Sequence, residues 1–253
     1  MTLKNIDLFT NESIIINILS SEFSINKIFT ENEILFKNQK KIKKNIFLVK
    51  SHKKITQIGT SNCDFGVSYG FGIIFKNEII NKYKKGIWNI HSGDLPKYRG
   101  RHPITAAFLN DEKKIGLSIH LINEKIDQGY LLGKIFVKRS YQDDEFSIKE
   151  KLLKNVKKLI KIAIKNFKNK NISRISKGKY YKPFFKGITV LDSKKYDYKY
   201  IYNATKAQKC FNGITINGKK YYDVIFYSKE KVSKLNRVIV CKNNKKLILV
   251  KKK

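Results

Sequence analysis

The chain of 253 residues is long enough for one large domain, or for a domain with a smaller appendage. Its hydrophobic content of 42% and aromatic content of 12% exclude a globally disordered chain. The formal net charge of +34 attracts polyanions, but 49 of the 54 basic residues are lysine, whereas phosphate-binding proteins usually recruit arginine. The charge alone therefore does not define a nucleic-acid-binding protein.

Targeting segments and disulfide bonds are not indicated by the sequence. No segment near the first residue has the apolar core of a signal peptide, and no run approaches the roughly 18 apolar residues of a membrane span. Cys63, Cys210 and Cys241 are odd in number, widely spaced and without a CxxC pair. We therefore expect free thiols in the cytoplasm, no membrane partner and no metal.

Apolar runs alternate with helical patterns over the first two-thirds of the chain. The runs predict strands over Lys4–Phe9, Asn45–Lys50, Asp64–Tyr69, Gly86–Ile90 and Gly116–Leu121, with helices from about Asn11 to Ser21 and over Asn77–Lys84. Buried strands separated by helices imply an α/β fold. We expect a Rossmann-like parallel sheet with helices on both faces.

The clearest helical pattern covers Asp143–Asn169. Its apolar residues recur mostly three and four positions apart against lysines on the other face, which predicts one long amphipathic helix. After Gly178 short apolar runs are separated by turn residues, which favours a small β-rich appendage. We therefore expect a catalytic domain over residues 1–185 and a small β-rich domain over residues 186–253.

Chemically specific residues are concentrated in Gly86–Gly133. This segment holds the only tryptophan, three of the four histidines, two of the three prolines and two of the five arginines. Elsewhere lysine, isoleucine and asparagine dominate. Such a concentration indicates a functional site.

Three side chains of this segment have complementary chemistry. Asn89 and His91 lie two apart on a predicted strand, so they face the same space at its carboxyl end, where open α/β sheets bind ligands. Asp127 follows the next predicted strand. A histidine can accept a proton, an asparagine amide can donate to an oxyanion, and a carboxylate can orient an imidazolium. The sequence has no GxSxG elbow and no P-loop.

The order of motifs resembles the folate-dependent formyltransferases. Asn89-Ile90-His91 matches the family pattern N-x-H, Leu95–Gly100 matches its LPxYRG-type loop, and Asp127-Gln128-Gly129 matches its D-x-G. The upstream segment Asp64–Phe75 is similar to the family's strand and Tyr-Gly turn. Two segments depart from the pattern: Gly93-Asp94-Leu95-Pro96 stands where SLLP is usual, which adds the acidic Asp94, and Phe9-Thr10-Asn11 stands where Gly-Thr-Pro is common.

The resemblance implies transfer of a formyl group from 10-formyltetrahydrofolate, a co-substrate, to a primary amine. His91 is then the base, Asn89 stabilises the oxyanion, and Asp127 orients His91. The resemblance further implies a folate site between a turn and a loop, whose residues are Tyr69, Gly70, Ile73, Ile74, Asn123, Ile126 and Asp127. His120 is interpreted as a core or near-site residue, and His102 as part of the loop scaffold.

Two acceptor classes remain open. Arg101-His102 before Pro103 and Ser118-Ile119-His120 resemble the enzymes that formylate dTDP- or UDP-linked amino sugars, and the family's tRNA enzymes carry a longer C-terminal β domain. We expect Tyr98, Arg99 and Arg101 to bind the nucleotide sugar, because the guanidinium groups of Arg99 and Arg101 suit a diphosphate. A loop-stabilising role is the alternative for Arg99. Methionyl-tRNA is the alternative acceptor, given the basic surface, and a homodimer remains open. A non-enzymatic, basic nucleic-acid-binding protein is the third hypothesis, but it leaves the Asn/His/Asp arrangement unexplained.

Overall fold

The structure is a computed structural model that describes residues 4–42, 45–182, 189–233 and 236–251. The strands of the first 182 residues are β1 (Asn5–Thr10), β2 (Ser24–Thr30), β3 (Ile46–Leu48), β4 (Phe65–Tyr69), β5 (Ile87–His91), β6 (Arg99–Gly100), β7 (Lys114–Leu121), β8 (Tyr130–Lys138), β9 (Ser173–Arg174) and β10 (Tyr180–Tyr181). The helices there are α1 (Ser13–Ser20), α2 (Glu33–Lys40), α3 (His52–Ile58), α4 (Asn77–Ile80), α5 (Pro103–Leu109), α6 (Glu145–Leu153) and α7 (Val156–Lys168).

The remainder of the described chain contains one α-helix among short strands. Its elements are β11 (Val190–Leu191), α8 (Tyr198–Gln208), β12 (Ile214–Ile216), β13 (Lys219–Tyr221), β14 (Asp223–Phe226), a 3-10 turn (Lys229–Lys231), β15 (Asn236–Val240) and β16 (Lys246–Val250). The expected short strands are present. Helix α8 was not predicted from the sequence.

An eight-stranded sheet in the order β3-β2-β1-β4-β5-β7-β8-β9 organises the first part of the chain. Strands β1 to β5 are mutually parallel, and β4 pairs directly with β5. Strand β7 runs antiparallel to β5, and β9 antiparallel to β8. The expectation of an α/β fold with a mainly parallel sheet is confirmed.

Helices cover both faces of this sheet. On one face, Phe9 of β1 stacks on Phe29 with centroids 4.7 Å apart and contacts Phe75 edge to face, in a cluster that includes residues of α3 and α4. On the other face, Trp88 of β5 lies 5.1 Å from Phe167 of α7. Because successive side chains of a strand alternate between faces, β5 contributes to both cores.

The long helix predicted over Asp143–Asn169 is two helices, α6 and α7, separated by Lys154 and Asn155. Ile148 and Leu152 before the break and Val156 after it are all fully buried. The break is invisible in the pattern because these residues keep a spacing of four.

The chain forms two compact units. One comprises Met1–Lys97, Gly116–Ile135 and Leu153–Gly178, and the other Tyr98–Ile115, Phe136–Leu152 and Lys179–Lys253. The domain division at residue 185, made from the sequence, remains a prediction, because residues 183–188 lie outside the described part of the chain. No helix among the described residues is both long and apolar enough to span a membrane.

Candidate active site

The strand order of the sheet reverses between β1 and β4. Strands β2 and β3 continue from one side of β1, whereas β4 and β5 continue from the other. The crevice outside the carboxyl ends of strands at such a switch point is where open α/β sheets bind ligands. The turn after Tyr69 and the side chains that end β5 therefore lie at a favourable place for a ligand.

A polar network holds the turn after β4. Asn11 Nδ2 donates to Gly70 O at 3.0 Å and to Glu31 Oε2 at 2.9 Å. The same carboxylate oxygen of Glu31 accepts from Gly72 N at 2.5 Å. The backbone of the turn at residues 70–72 is thus fixed by side chains from the ends of β1 and β2. Asn11 departs from the family pattern, and here it supplies this support.

Strand β5 presents Asn89 and His91 on one face, as the period of two predicts. The antiparallel neighbour β7 places His120 opposite Asn89 and Ser118 opposite His91. The pairing of β5 with β7 therefore places His120 next to Asn89 in the site. The sequence predicts no catalytic role for His120, because its neighbours in sequence are apolar.

Asp127 reaches the site from the loop that follows β7. This carboxylate does not come from the carboxyl end of a parallel strand, because β7 is antiparallel to β5. Asp127 adopts a left-handed conformation with φ 52°, which aspartate tolerates better than most residues. Gly129 closes the loop against β7: a Cβ there would lie 1.7 Å from Leu121 O. Close backbone approach explains the glycine of the D-x-G motif.

The four side chains form one contiguous cluster. Asp127 Oδ2 lies 3.8 Å from His91 Nδ1, and Asp127 Oδ1 lies 3.3 Å from His120 Nε2. His120 Nε2 also lies 3.2 Å from Asn89 Nδ2. His91, His120 and Asp127 are exposed by only 7%, 2% and 9%. Burial weakens solvent screening, so the carboxylate can act on both rings.

The hydrogen bonds of His120 define its tautomer. His120 Nδ1 lies 2.8 Å from Leu121 O, and a carbonyl oxygen can only accept, so Nδ1 carries a proton. In the imidazolium form, Nε2 carries a proton that can donate to Asp127 Oδ1, 3.3 Å away. In the neutral form, Nε2 has a lone pair that can accept from Asn89 Nδ2, 3.2 Å away. An amide nitrogen has two N–H groups, and this contact orients the amide while engaging only one of them.

The residues expected to bind folate include buried or hydrogen-bonded residues that hold the backbone and exposed apolar side chains. Tyr69 is buried, its hydroxyl lies 3.3 Å from Ser92 Oγ, and burial raises its pKa to about 12, so it remains a neutral phenol. Ile74 and Ile126 are 61% and 42% exposed. Asn123 Nδ2 donates to Gln128 O at 3.2 Å across the loop. Of the other three residues, Gly70 belongs to the turn held by Asn11 and Glu31, Ile73 follows that turn, and Asp127 belongs to the cluster with His91.

Asp94, the unusual acidic residue of the proline loop, has a local partner. Lys134 Nζ donates to Asp94 Oδ1 at 2.8 Å and to Leu95 O at 3.2 Å. The lysine of β8 therefore balances the carboxylate and holds the loop backbone. Within the described residues, no group of three or more His, Cys, Asp or Glu side chains is arranged to hold a metal ion.

The three residues expected to bind the acceptor belong to the second compact unit. Tyr98 is 2% exposed and donates its hydroxyl to Glu112 Oε1 at 2.7 Å. Arg99 is buried, its strand β6 pairs with β10, and its guanidinium lies 6.0 Å from the ring of Tyr180. Arg101 is exposed. Their role in acceptor binding remains a prediction.

Comparison with known proteins gives one family. Residues 30–164 match the family described as formyl transferase. The methionyl-tRNA formyltransferase of Blochmanniella floridana is 33% identical over 172 residues, which are 64% of this chain and 51% of that protein. That of Buchnera aphidicola is 34% identical over 93 residues, 37% of this chain and 30% of that protein. The matched segment thus spans about half or less of these curated relatives.

Solved structures share the fold over nearly the whole chain. The N-formyltransferase from Helicobacter canadensis, in complex with folinic acid and dTDP-3-aminofucose, has a TM-score of 0.73 at 19% identity, covering 99% of this chain and 100% of that one. WlaRD, a sugar 3N-formyl transferase solved with dTDP and 5-N-formyl-THF, has a TM-score of 0.71 at 19% identity, covering 99% and 98%. At this identity the likeness concerns the fold.

Proposed function

Because the chain belongs to the formyl transferase family, we propose that it transfers a formyl group from 10-formyltetrahydrofolate to the primary amine of a nucleotide-linked amino sugar, with dTDP or UDP as the nucleotide. The observation that carries this proposal is the contact cluster at the carboxyl end of β5, in which Asn89 meets the buried side chains of His91, His120 and Asp127. These groups can handle the proton and the negative charge that acyl transfer to an amine generates.

The roles follow from the contacts. The attacking amine loses a proton as its nitrogen bonds to the formyl carbon, and His91 accepts that proton. The Asp127 carboxylate, 3.8 Å from His91 Nδ1, stabilises the imidazolium. The N–H of Asn89 that does not bind His120 donates to the formyl oxygen as it gains negative charge. The bond from the formyl carbon to the folate nitrogen then breaks, and His91 returns the proton to that nitrogen.

The folate is proposed to lie between the turn after Tyr69 and the loop that contains Asp127. Ile74 and Ile126 offer exposed apolar side chains, one on each segment. The turn is held by Asn11 and Glu31, so its backbone groups are fixed before a ligand arrives. A rigid backbone with apolar flanks suits a planar, hydrogen-bonding pterin ring.

The sugar acceptor is supported by the resemblance of the Arg99–Pro103 segment to that branch. Solved structures of the same fold were obtained with dTDP or dTDP-3-aminofucose. Arg99, Arg101 and Tyr98 are the residues proposed to bind the nucleotide, the two guanidinium groups pairing with its diphosphate.

Methionyl-tRNA is the second candidate acceptor, favoured by the names of the curated relatives. Five lysines also share one surface on and beside α7, namely Lys154, Lys157, Lys158, Lys161 and Lys165. Such a surface attracts a polyanion. A tRNA acceptor would require these charges, whereas a nucleotide sugar would not.

One assay tests the proposal. The purified chain is mixed with 10-formyltetrahydrofolate and either a panel of dTDP- and UDP-linked amino sugars or methionyl-tRNA, and release of tetrahydrofolate is measured. We expect release with an amino-sugar nucleotide and none with methionyl-tRNA. Release with methionyl-tRNA alone would assign the chain to the second candidate. No release with any primary amine would overturn formyl transfer.

A further inference from the structure

The second compact unit contains a cavity of about 380 Å³ that is lined by residues outside the predicted site. The residues that matter for its chemistry are His102, Gln208, Phe211, Asn212, Thr215 and Lys220. A cavity of this volume is at the lower end of the usual range for small-molecule sites.

The local sequence builds this cavity from a helix end and a hairpin. Helix α8 ends at Gln208, and the chain then reverses at Gly213, which has φ 69° and where a Cβ would lie 2.4 Å from Tyr221 O. Strands β12 and β13 follow, and their register places Thr215 opposite Lys220. Cross-strand partners project to the same face, so both side chains line the cavity. Lys219, one residue away, projects to the opposite face.

Gln208 shows that the cavity is equipped for a polar ligand. It is only 8% exposed, and within the described part of the chain its side-chain amide has no hydrogen-bond partner. Because Gln208 lines the cavity, a ligand there can satisfy its donor and its acceptor together.

Phe211 supplies an open aromatic face. Its side chain is 49% exposed, and its ring meets that of His102 edge to face with centroids 6.1 Å apart. Burial lowers the pKa of His102, and Arg101 lowers it further, so the neighbouring ring is neutral at pH 7. A planar ligand can stack on Phe211 without meeting a charge from this neighbour.

The lining selects for one ligand chemistry. It offers the phenyl ring of Phe211, the imidazole of His102, two carboxamides (Gln208 and Asn212), two hydroxyls (Thr189 and Thr215) and one ammonium (Lys220). The described lining residues include no carboxylate. Aromatic side chains stack on nucleobases, and carboxamides pair with base edges in bidentate fashion. An ammonium group without a nearby carboxylate favours an anion.

We infer that this cavity binds a nucleotide, with its base on Phe211, its base edge on Gln208 and Asn212, and its phosphate at Lys220. The inference goes beyond formyl transfer and does not depend on it. Two ligands could supply this nucleotide: an acceptor that contains it, or a free nucleotide that acts as an effector.

Calorimetric titration of the whole chain, without folate, tests the inference directly. The probes are UDP, dTDP and ADP, with uridine, thymidine and adenosine as their matched nucleosides. We expect saturable binding of at least one diphosphate. Phe211→Ala should lower the affinity for that diphosphate and for its nucleoside alike, by about 5- to 150-fold, because stacking is lost for both. Phe211 is half exposed, so the variant should keep its fold, which circular dichroism checks.

Two lysine variants separate phosphate recognition from general charge. Lys220→Ala should lower the affinity for the diphosphate and leave the affinity for the nucleoside unchanged, because only the diphosphate is negatively charged. Lys219→Ala, on the opposite face of the same strand, should change neither. The inference is wrong if no probe saturates at millimolar concentration, or if Phe211→Ala and Lys220→Ala bind as the wild type does.

The source of the nucleotide is read from a competition titration. A nucleotide-linked amino sugar that displaces the bound diphosphate assigns the cavity to the acceptor, whereas undisturbed binding assigns it to a free nucleotide. Both results require the cavity to bind a nucleotide. Because binding is measured without formyl transfer, a failed assay of catalysis leaves this test intact.

Discussion

The cluster around His91 and the cavity beside Phe211 differ in whether their buried polar side chains have partners. In the cluster, His91, His120 and Asp127 are buried and lie in contact with one another. In the cavity, Gln208 is equally buried, yet its amide finds no partner within the described residues. A proton-transfer site must hold its groups in place before substrate arrives, whereas a recognition site keeps hydrogen-bonding capacity for its ligand.

Removing the oxyanion donor of the cluster should cause a large loss of activity. Asn89→Ala deletes the amide that His120 orients, and loss of one such donor typically lowers kcat by about 10²–10³-fold. The measurement is kcat under saturating substrates. His102→Asn, a histidine variant in the other compact unit, is the control and should cost much less. A larger loss with His102→Asn would show that the chemistry has been assigned to the wrong region.

A somewhat smaller loss is expected for Asp127→Asn. The variant keeps the shape of the side chain but removes the charge that faces both His91 and His120. Hydrogen bonds to charged groups are worth about 1.5–3 kcal/mol, which corresponds to a decrease in kcat of roughly 10- to 100-fold. The matched control is Asp94→Asn, whose carboxylate is paired with Lys134. Equal losses in the two variants would indicate a general effect of charge.

In the second unit, a buried carboxyl group, that of Glu145, makes stability depend on pH. Burial raises the pKa of Glu145, the first residue of α6, to about 7 from its ordinary 4.5, although Thr105 donates a hydrogen bond to it. The folded state then keeps a proton that the unfolded chain releases. This contribution to stability is therefore lost as pH rises from about 4.5 to above 7, by about 3 kcal/mol.

Urea unfolding of Glu145→Gln at several pH values measures this contribution. The variant should be less sensitive to rising pH than the wild type, because its amide cannot titrate. Glu150→Gln, an exposed position of the same helix, should retain the wild-type dependence. Identical pH profiles for Glu145→Gln and the wild type would exclude a protonated Glu145.

The smallest effect concerns the supported turn. Glu31→Ala removes the acceptor for Gly72 N and for Asn11, so the turn should become less ordered before folate binds. Loss of about 1 kcal/mol would raise the KM for 10-formyltetrahydrofolate about fivefold with little change in kcat. Glu33→Ala, which removes an exposed ion pair with Lys50, should leave KM unchanged. A fall in kcat with constant KM would contradict this role.

The sequence predicted the part of the molecule that depends on local pattern. The parallel pairing of β4 and β5 and the common face of Asn89 and His91 follow from buried runs and a period of two. His120 was not predicted as a cluster residue, because its position depends on the antiparallel register of β7 and not on its neighbours in sequence.

The second unit was less predictable for a related reason. Helix α8 carries tyrosines and a threonine, which are weak helix formers, and its cap comes from Asp197. Tertiary burial of Ile201, Ala204 and Ala207 favours the helix there. The cavity beside Phe211 arises from how this helix ends against a hairpin, a juxtaposition without a sequence motif.

The central claim is that the first compact unit separates folate binding from proton transfer. One variant, His91→Ala, tests this claim in two experiments. Calorimetry measures its binding of 10-formyltetrahydrofolate without an acceptor, and a separate assay measures its turnover. We predict that the variant binds the folate with nearly wild-type affinity and has lost turnover with every acceptor. Loss of folate binding along with turnover, or turnover that survives the substitution, would contradict the account.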